Sequence, residues 1–264
     1  MSATEAAGES AAKEAAEHID VTRARVAARS RLREVIFGTQ DGLLTTLGLV
    51  SGVGSATTDR YSILVAGLAG CFAGMIAMGA GAFISSKSQH EVAEAEIARE
   101  RHELLAHPER ELEELVQLFN DEGLTDRDAR LVAEKIAERP KAMLNAMTQK
   151  ELGLALESSQ PRKEGLVMAL AFLVGAIVPL APWFAASTHH VIAVASLDVS
   201  PALLLSVSVT ICLLFVMGAG KARVAHANIL RGGLEVMGIG LLAAITGYLL
   251  GSLVPHALGA PSAA

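Results

Sequence analysis

Apolar positions in this chain gather into long uninterrupted blocks. Five stretches, approximately 35–57, 62–86, 165–187, 198–220 and 233–254, reach or exceed the roughly 20 residues needed to cross a bilayer core. The first is the least hydrophobic, because Gln40, Asp41, Thr45 and Thr46 fall inside it. Between the second and third blocks the pattern changes to charged residues at helical spacing. Nothing from Phe83 to Ala106 stops a helix, so span two is expected to run on into this insert until His107-Pro108 breaks it. Glu109 to Phe119 forms the next helix, closed by Asn120-Asp121-Glu122-Gly123. Thr125 then caps a third, with Asp128 at the capping-box position, and Pro140 opens a fourth. In that last helix Met143, Met147 and Glu151 recur every four residues on one face. The organisation expected is a mobile N-terminal tail over 1–30, helices one and two over 31–86, a helical insert over 87–163, three further spans over 164–254, and a short tail over 255–264.

Charge orients this arrangement. Five arginines from Arg23 to Arg33 precede the first span, the insert carries twelve basic residues, and Lys221, Arg223 and Arg231 separate spans four and five. On the other side only Arg60 is basic, with none in the 188–197 loop and none after Arg231. The positive-inside rule then puts the N-terminus and insert in the cytoplasm and the C-terminus outside, as an odd number of spans requires. The composition agrees with a membrane protein: of 264 residues 52% are hydrophobic and only 4% aromatic. No basic, apolar leader of signal-peptide type opens the chain. Both cysteines, Cys71 and Cys212, lie in apolar blocks and read as packing residues. Residues 87–165 hold 18 acidic against 12 basic side chains, a net of −6 that equals the whole chain's charge. That balance gives no footing for nucleic acid.

The candidate chemistry is an acid ladder, Glu91, Glu94, Glu96, Glu100, Glu103, Glu111 and Glu114. Glu96, Glu100 and Glu103 stack on one helical face, and Glu111 and Glu114 repeat the step after the proline break. Like charges at this spacing repel, and a divalent cation would remove that cost while gaining oxygen ligands. The alternative is a solvated face neutralised by Arg99, Arg101 and Arg110. Asp41 within a span points to an ion path or a charged partner, with a packing role for Asp-Gly as the alternative. Glu34, two turns towards the cytoplasm on the same face, is a candidate for where an ion first comes in, or a charge resting at the interface. Met78 is a core residue or a soft ligand for a transition metal. Met-Gly-Ala-Gly occurs at 78–81 and again at 217–220, through internal repetition or small-residue packing. Enzyme motifs fail on spacing: His102-Glu103 with His107 is one residue too long for a zincin, and no Glu-x-x-His is present.

Val35-Ile36-Phe37-Gly38 leading to Asp41-Gly42-Leu43-Leu44-Thr45-Thr46 resembles the first-helix signature of the vacuolar iron transporter family. The likeness continues through Met78, Ser85-Ser86-Lys87, Met147, Glu151-Leu152-Gly153-Leu154, Gly175 to Pro179 and Ile245 to Gly251. It implies an all-α membrane protein with five transmembrane helices and a cytoplasmic helical metal-binding insert between helices 2 and 3. It further implies a homodimer in the cell (inner) membrane of a bacterium or similar cell that exports Fe2+, and Mn2+ as well, in exchange for protons. Divalent metal would be cargo, with no prosthetic group and no enzyme activity. By position Asp41 and Met78 would form the transmembrane ion site, and Glu100, Glu103, Glu111, Glu114, Met147 and Glu151 the cytoplasmic one. This chain departs from relatives at Thr148, where a second methionine can follow Met147. It also lacks a carboxylate in Leu68-Ala69-Gly70-Cys71, which leaves Asp41 and Glu34 to carry protons. The rival readings are a membrane-anchored metal buffer or sensor without transport, and a di-iron oxidase. Two membrane ligands per protomer are too few for a dehydrated divalent ion, so a dimer supplying four is expected.

Overall fold

The computed structural model describes residues 3–153, 160–185, 192–194 and 197–257. Leu154 of the Glu-Leu-Gly-Leu motif, residues 188–191 of the loop before span four, and residues 258–264 of the C-terminal tail lie outside it. The described chain is helical apart from one short strand pair. Its elements are α1 (Ala3–Ala56), α2 (Arg60–Ala106), α3 (Pro108–Asp121), α4 (Asp126–Ala137), α5 (Pro140–Lys150), α6 (Pro161–Ala185), β1 (Ile192–Val194), β2 (Leu197–Val199), α7 (Pro201–Val224) and α8 (Ile229–Ala257). The chain divides into two compact units, residues 1–82 with 162–264, and residues 83–161.

Several boundaries differ from expectation for local reasons. The stretch expected as a tail over 1–30 is helical from Ala3, as its alanine, glutamate and arginine content favours. Span four was expected to begin at 198, but Leu197–Val199 is extended and pairs antiparallel with Ile192–Val194, Ile192 opposite Val199. The helix opens only at Pro201, where Ser200 Oγ accepts the Leu203 N–H at 3.2 Å. It then runs past the expected end to Val224, with Lys221 and Arg223 in the last turn facing the negative end of the helix dipole.

Among the described residues, four helices are long and apolar enough to cross a membrane: α2, α6, α7 and α8. The section of α1 from Gly38 onward lacks their hydropathy yet is tightly enclosed, with Leu43 and Leu47 fully buried and Thr46 and Ser51 nearly so. Glycines make that enclosure possible. A Cβ at Gly42 would run into the Phe172 carbonyl, and one at Gly175 into the Thr39 carbonyl, so α1 and α6 touch backbone to backbone. The same reciprocity joins α1 and α8, where Gly247 faces the Gly48 carbonyl and Gly251 that of Gly52. Ser55 Oγ adds a donor 2.9 Å from both the Gly52 and Tyr248 carbonyls. At the other end of α2, Arg60 caps α6, with Nε donating to the Trp183 carbonyl at 2.7 Å and Nη2 to that of Phe184. Many large apolar side chains are left exposed, among them Phe72, Ile76, Val174 and Leu242, as lipid contact requires.

The second unit is built as the cap and breaker residues indicate. Thr125 accepts the Asp128 N–H at 3.3 Å to start α4, and Gly123 takes φ +100° to turn the chain out of α3. The core is Leu115, Val116, Phe119, Ala129, Ala133, Met143 and Met147. Arg130 holds Glu113 with both carboxylate oxygens, at 2.7 and 2.8 Å, tying α4 to α3.

Candidate metal centre

Three helices of the second unit deliver carboxylates to one place. Spacings of four and three put Glu96, Glu100 and Glu103 on one face of α2. The middle one, Glu100, is 2% exposed. On α3, the register that buries Leu115, Val116 and Phe119 also buries Glu111 completely, one turn earlier. Glu151 follows the last turn of α5 as its C-cap, its N–H donating to the Met147 carbonyl at 2.8 Å. One oxygen from each of Glu100, Glu111 and Glu151 lies within 4.8 Å of the others.

The electrostatics of this trio are unfavourable in the absence of a cation. Glu100 Oε1 and Glu111 Oε2 are buried and have no hydrogen-bond partner. Burying such groups unpaired is costly. Burial is the first cause that pushes the Glu100 carboxyl up to about 7, and the charges of Glu151, Glu111, Glu103 and Glu114 raise it further. Glu151 is raised in the same way, by desolvation and then by Glu114, Glu111 and Glu103. A proton or a divalent cation relieves this strain. Only the cation satisfies several carboxylates at once.

The remaining ladder acids are differently placed. Glu103 lies 3.2 Å from Arg110 and 3.7 Å from Arg99, and Glu114 lies 3.3 Å from Arg110. Arg99 also holds Glu96 at 2.9 Å. Glu91 and Glu94 pair along the helix with Lys87 and His90. Glu111 belongs to both groups, because its Oε1 accepts from Arg110 Nη2 at 2.9 Å while its Oε2 has no partner. Met147 is fully buried in the insert core beside Leu115 and Phe119. Thr148, next to it, is also buried, and its Oγ1 has no partner. Its identity gave no sign of this, because a helical threonine hydroxyl ordinarily bonds a carbonyl one turn back.

In the first unit Asp41 is half-buried on α1 with Thr45 one turn on bonded to its carboxylate. Met78 is partly buried on α2 and packs against the cluster of Phe172, Ala176 and Leu180. Glu34 is half-buried seven residues before Asp41.

The VIT family model matches residues 32–252. The chain is 29% identical over 228 residues to vacuolar iron transporter 1 of Arabidopsis thaliana, covering 85% of this chain and 86% of that protein. It is 31% identical over 226 residues to vacuolar iron transporter 1 of Tulipa gesneriana, covering 84% and 87%. The vacuolar iron transporter of Plasmodium falciparum (isolate 3D7) is 27% identical over 232 residues, with 86% and 84% covered.

Proposed function

The chain belongs to the VIT family, a family of membrane transporters and not of enzymes, and on that premise we propose that it carries Fe2+, with Mn2+ as a second substrate, out of the cytoplasm in exchange for protons. The observation that carries the reading is the carboxylate trio of buried Glu100 and Glu111 with exposed Glu151, in a multi-pass membrane protein with four apolar spans. In this reading α1 from about residue 35 is the fifth span. Its low hydropathy is offset by close backbone packing against α6 and α8 at Gly42, Gly175, Gly247 and Gly251. The N-terminus and residues 87–163 are cytoplasmic and the C-terminus is on the other side, which the distribution of basic residues supports.

Metal is collected from the cytoplasm by the insert glutamates and passes outward at Asp41 and Met78, with Glu34 on the way in. Two protomers bring two carboxylates and two thioethers together, enough to replace much of an ion's hydration shell. Asp41 also offers a protonatable group at the same depth, which couples outward metal to inward protons. Proteoliposomes loaded with a metal-sensitive dye test this, with and without a pH gradient. Asp41→Asn keeps size and hydrogen bonding but removes the charge, so transport should fall to background while the insert still binds metal. Wild-type rates in that variant would overturn the path, and metal binding without any flux in the unaltered chain would favour a membrane-anchored buffer.

A further inference from the structure

Arg110 stands at the first turn of α3, and its guanidinium reaches three acids at once. Its Nη2 donates to Glu111 Oε1 at 2.9 Å and lies 3.2 Å from Glu103 Oε2, while Nε lies 3.3 Å from Glu114 Oε1. Glu111 is thereby divided. One oxygen is on the arginine, and the other, Oε2, is buried without a partner on a side chain of zero exposure. We propose that Arg110 is a built-in counter-ion of the metal centre, which holds Glu103, Glu114 and one oxygen of Glu111 while the site is metal-free and yields them to an incoming divalent cation. This rests on the reading of Glu100, Glu111 and Glu151 as that centre.

Three points support the exchange. A Mn2+ or Fe2+ ion takes about six ligands, and three monodentate carboxylates fall short of that. The acids that the metal-free structure sets beside the trio are Glu103 and Glu114, whose charges both act on Glu100 and Glu151. Both are held by Arg110. The guanidinium side chain is itself 52% exposed, so it can turn into water at little cost and leave its carboxylates behind. A fixed cation a few ångströms from the site also repels the metal, so Arg110 sets affinity below what five carboxylates would give. A transporter that must release what it captures has use for that limit.

The test uses the full chain in detergent, carrying Asp41→Asn so that the heat of Mn2+ binding reports the insert. Arg110→Gln should tighten Mn2+ binding on the order of tenfold, the size expected for removing one charge near a divalent ion in a largely aqueous setting. It should also lower the thermal midpoint of the metal-free protein and enlarge the upward shift that Mn2+ produces. Arg130→Gln, which breaks the separate pair with Glu113, should leave Mn2+ affinity unchanged. Should Arg110→Gln fail to fold, Arg110→Lys carries the test: a point charge cannot span three carboxylates, so binding should tighten by a smaller factor. Unchanged or weaker Mn2+ binding in the folded variant overturns the proposal. Equal Mn2+ heat with and without Glu100→Gln and Glu111→Gln would instead remove the metal centre itself, and Arg110's role with it.

Discussion

The nearly buried Glu100 sets the pH at which the insert should lose its metal. Glu100 titrates at about 7 because it is buried and surrounded by Glu151, Glu111, Glu103 and Glu114. Metal needs the ionised form, so protons compete with it in the range where Glu100 titrates. For a group of this pKa the ionised fraction drops about eightfold between about pH 7.5 and about pH 6, and Mn2+ affinity should drop by about the same factor. A carboxylate of ordinary pKa would change by only about 3% over that interval. The sign for stability is opposite. A carboxyl raised in the folded state contributes stability that is fully present below its unfolded value of 4.5 and is lost as pH rises through about 7. The metal-free insert should therefore be firmer at the acidic end, and metal should stabilise it most at the alkaline end. Calorimetric titration of the full chain with Mn2+ at the two pH values measures the first effect, and Glu100→Gln supplies the control, with weaker but nearly pH-independent binding. An affinity that stays constant over this range, or falls equally in Glu100→Gln, would show that Glu100 is not a ligand whose proton metal must displace.

Two further outcomes test the packing that positions the site. Leu115→Ala removes a fully buried side chain from the insert core one turn after Glu111, and should destabilise the insert by about 2–5 kcal/mol, measurable as a lower melting midpoint that Mn2+ partly restores. Gly251→Leu puts a side chain where the Gly52 carbonyl stands, so α1 and α8 cannot keep their contact. The variant should be recovered in a folded, monodisperse form far less often than wild type, whereas Gly81→Leu, where nothing lies within 4 Å, should be tolerated.

The insert was readable because its helix ends are written in local chemistry. Pro108, Thr125 with Asp128, and Pro140 act within one turn of themselves, so α3, α4 and α5 begin where the sequence indicates. The first unit was harder for a reason that lies in α1. Its apolar content is low because it meets α6 and α8 backbone to backbone through Gly42, Gly175, Gly247 and Gly251, and those partners are more than a hundred residues away in the chain. No window along α1 holds that information. The same distance effect governs the acids. Glu103 and Glu111 are the same residue type on the same ladder, yet one is shared between two arginines and the other is sealed with one oxygen unpartnered. What separates them is the register in which α3 lays Leu115 and Phe119 into the core, which carries Glu111 inward and leaves Arg110, its chain neighbour, facing out. Spacing alone therefore finds the acids and cannot say which of their oxygens an arginine holds and which are sealed without a partner. In this protein the division falls between two adjacent residues, so a helix turn that serves the core also decides which carboxylate is sealed and which side chain faces water.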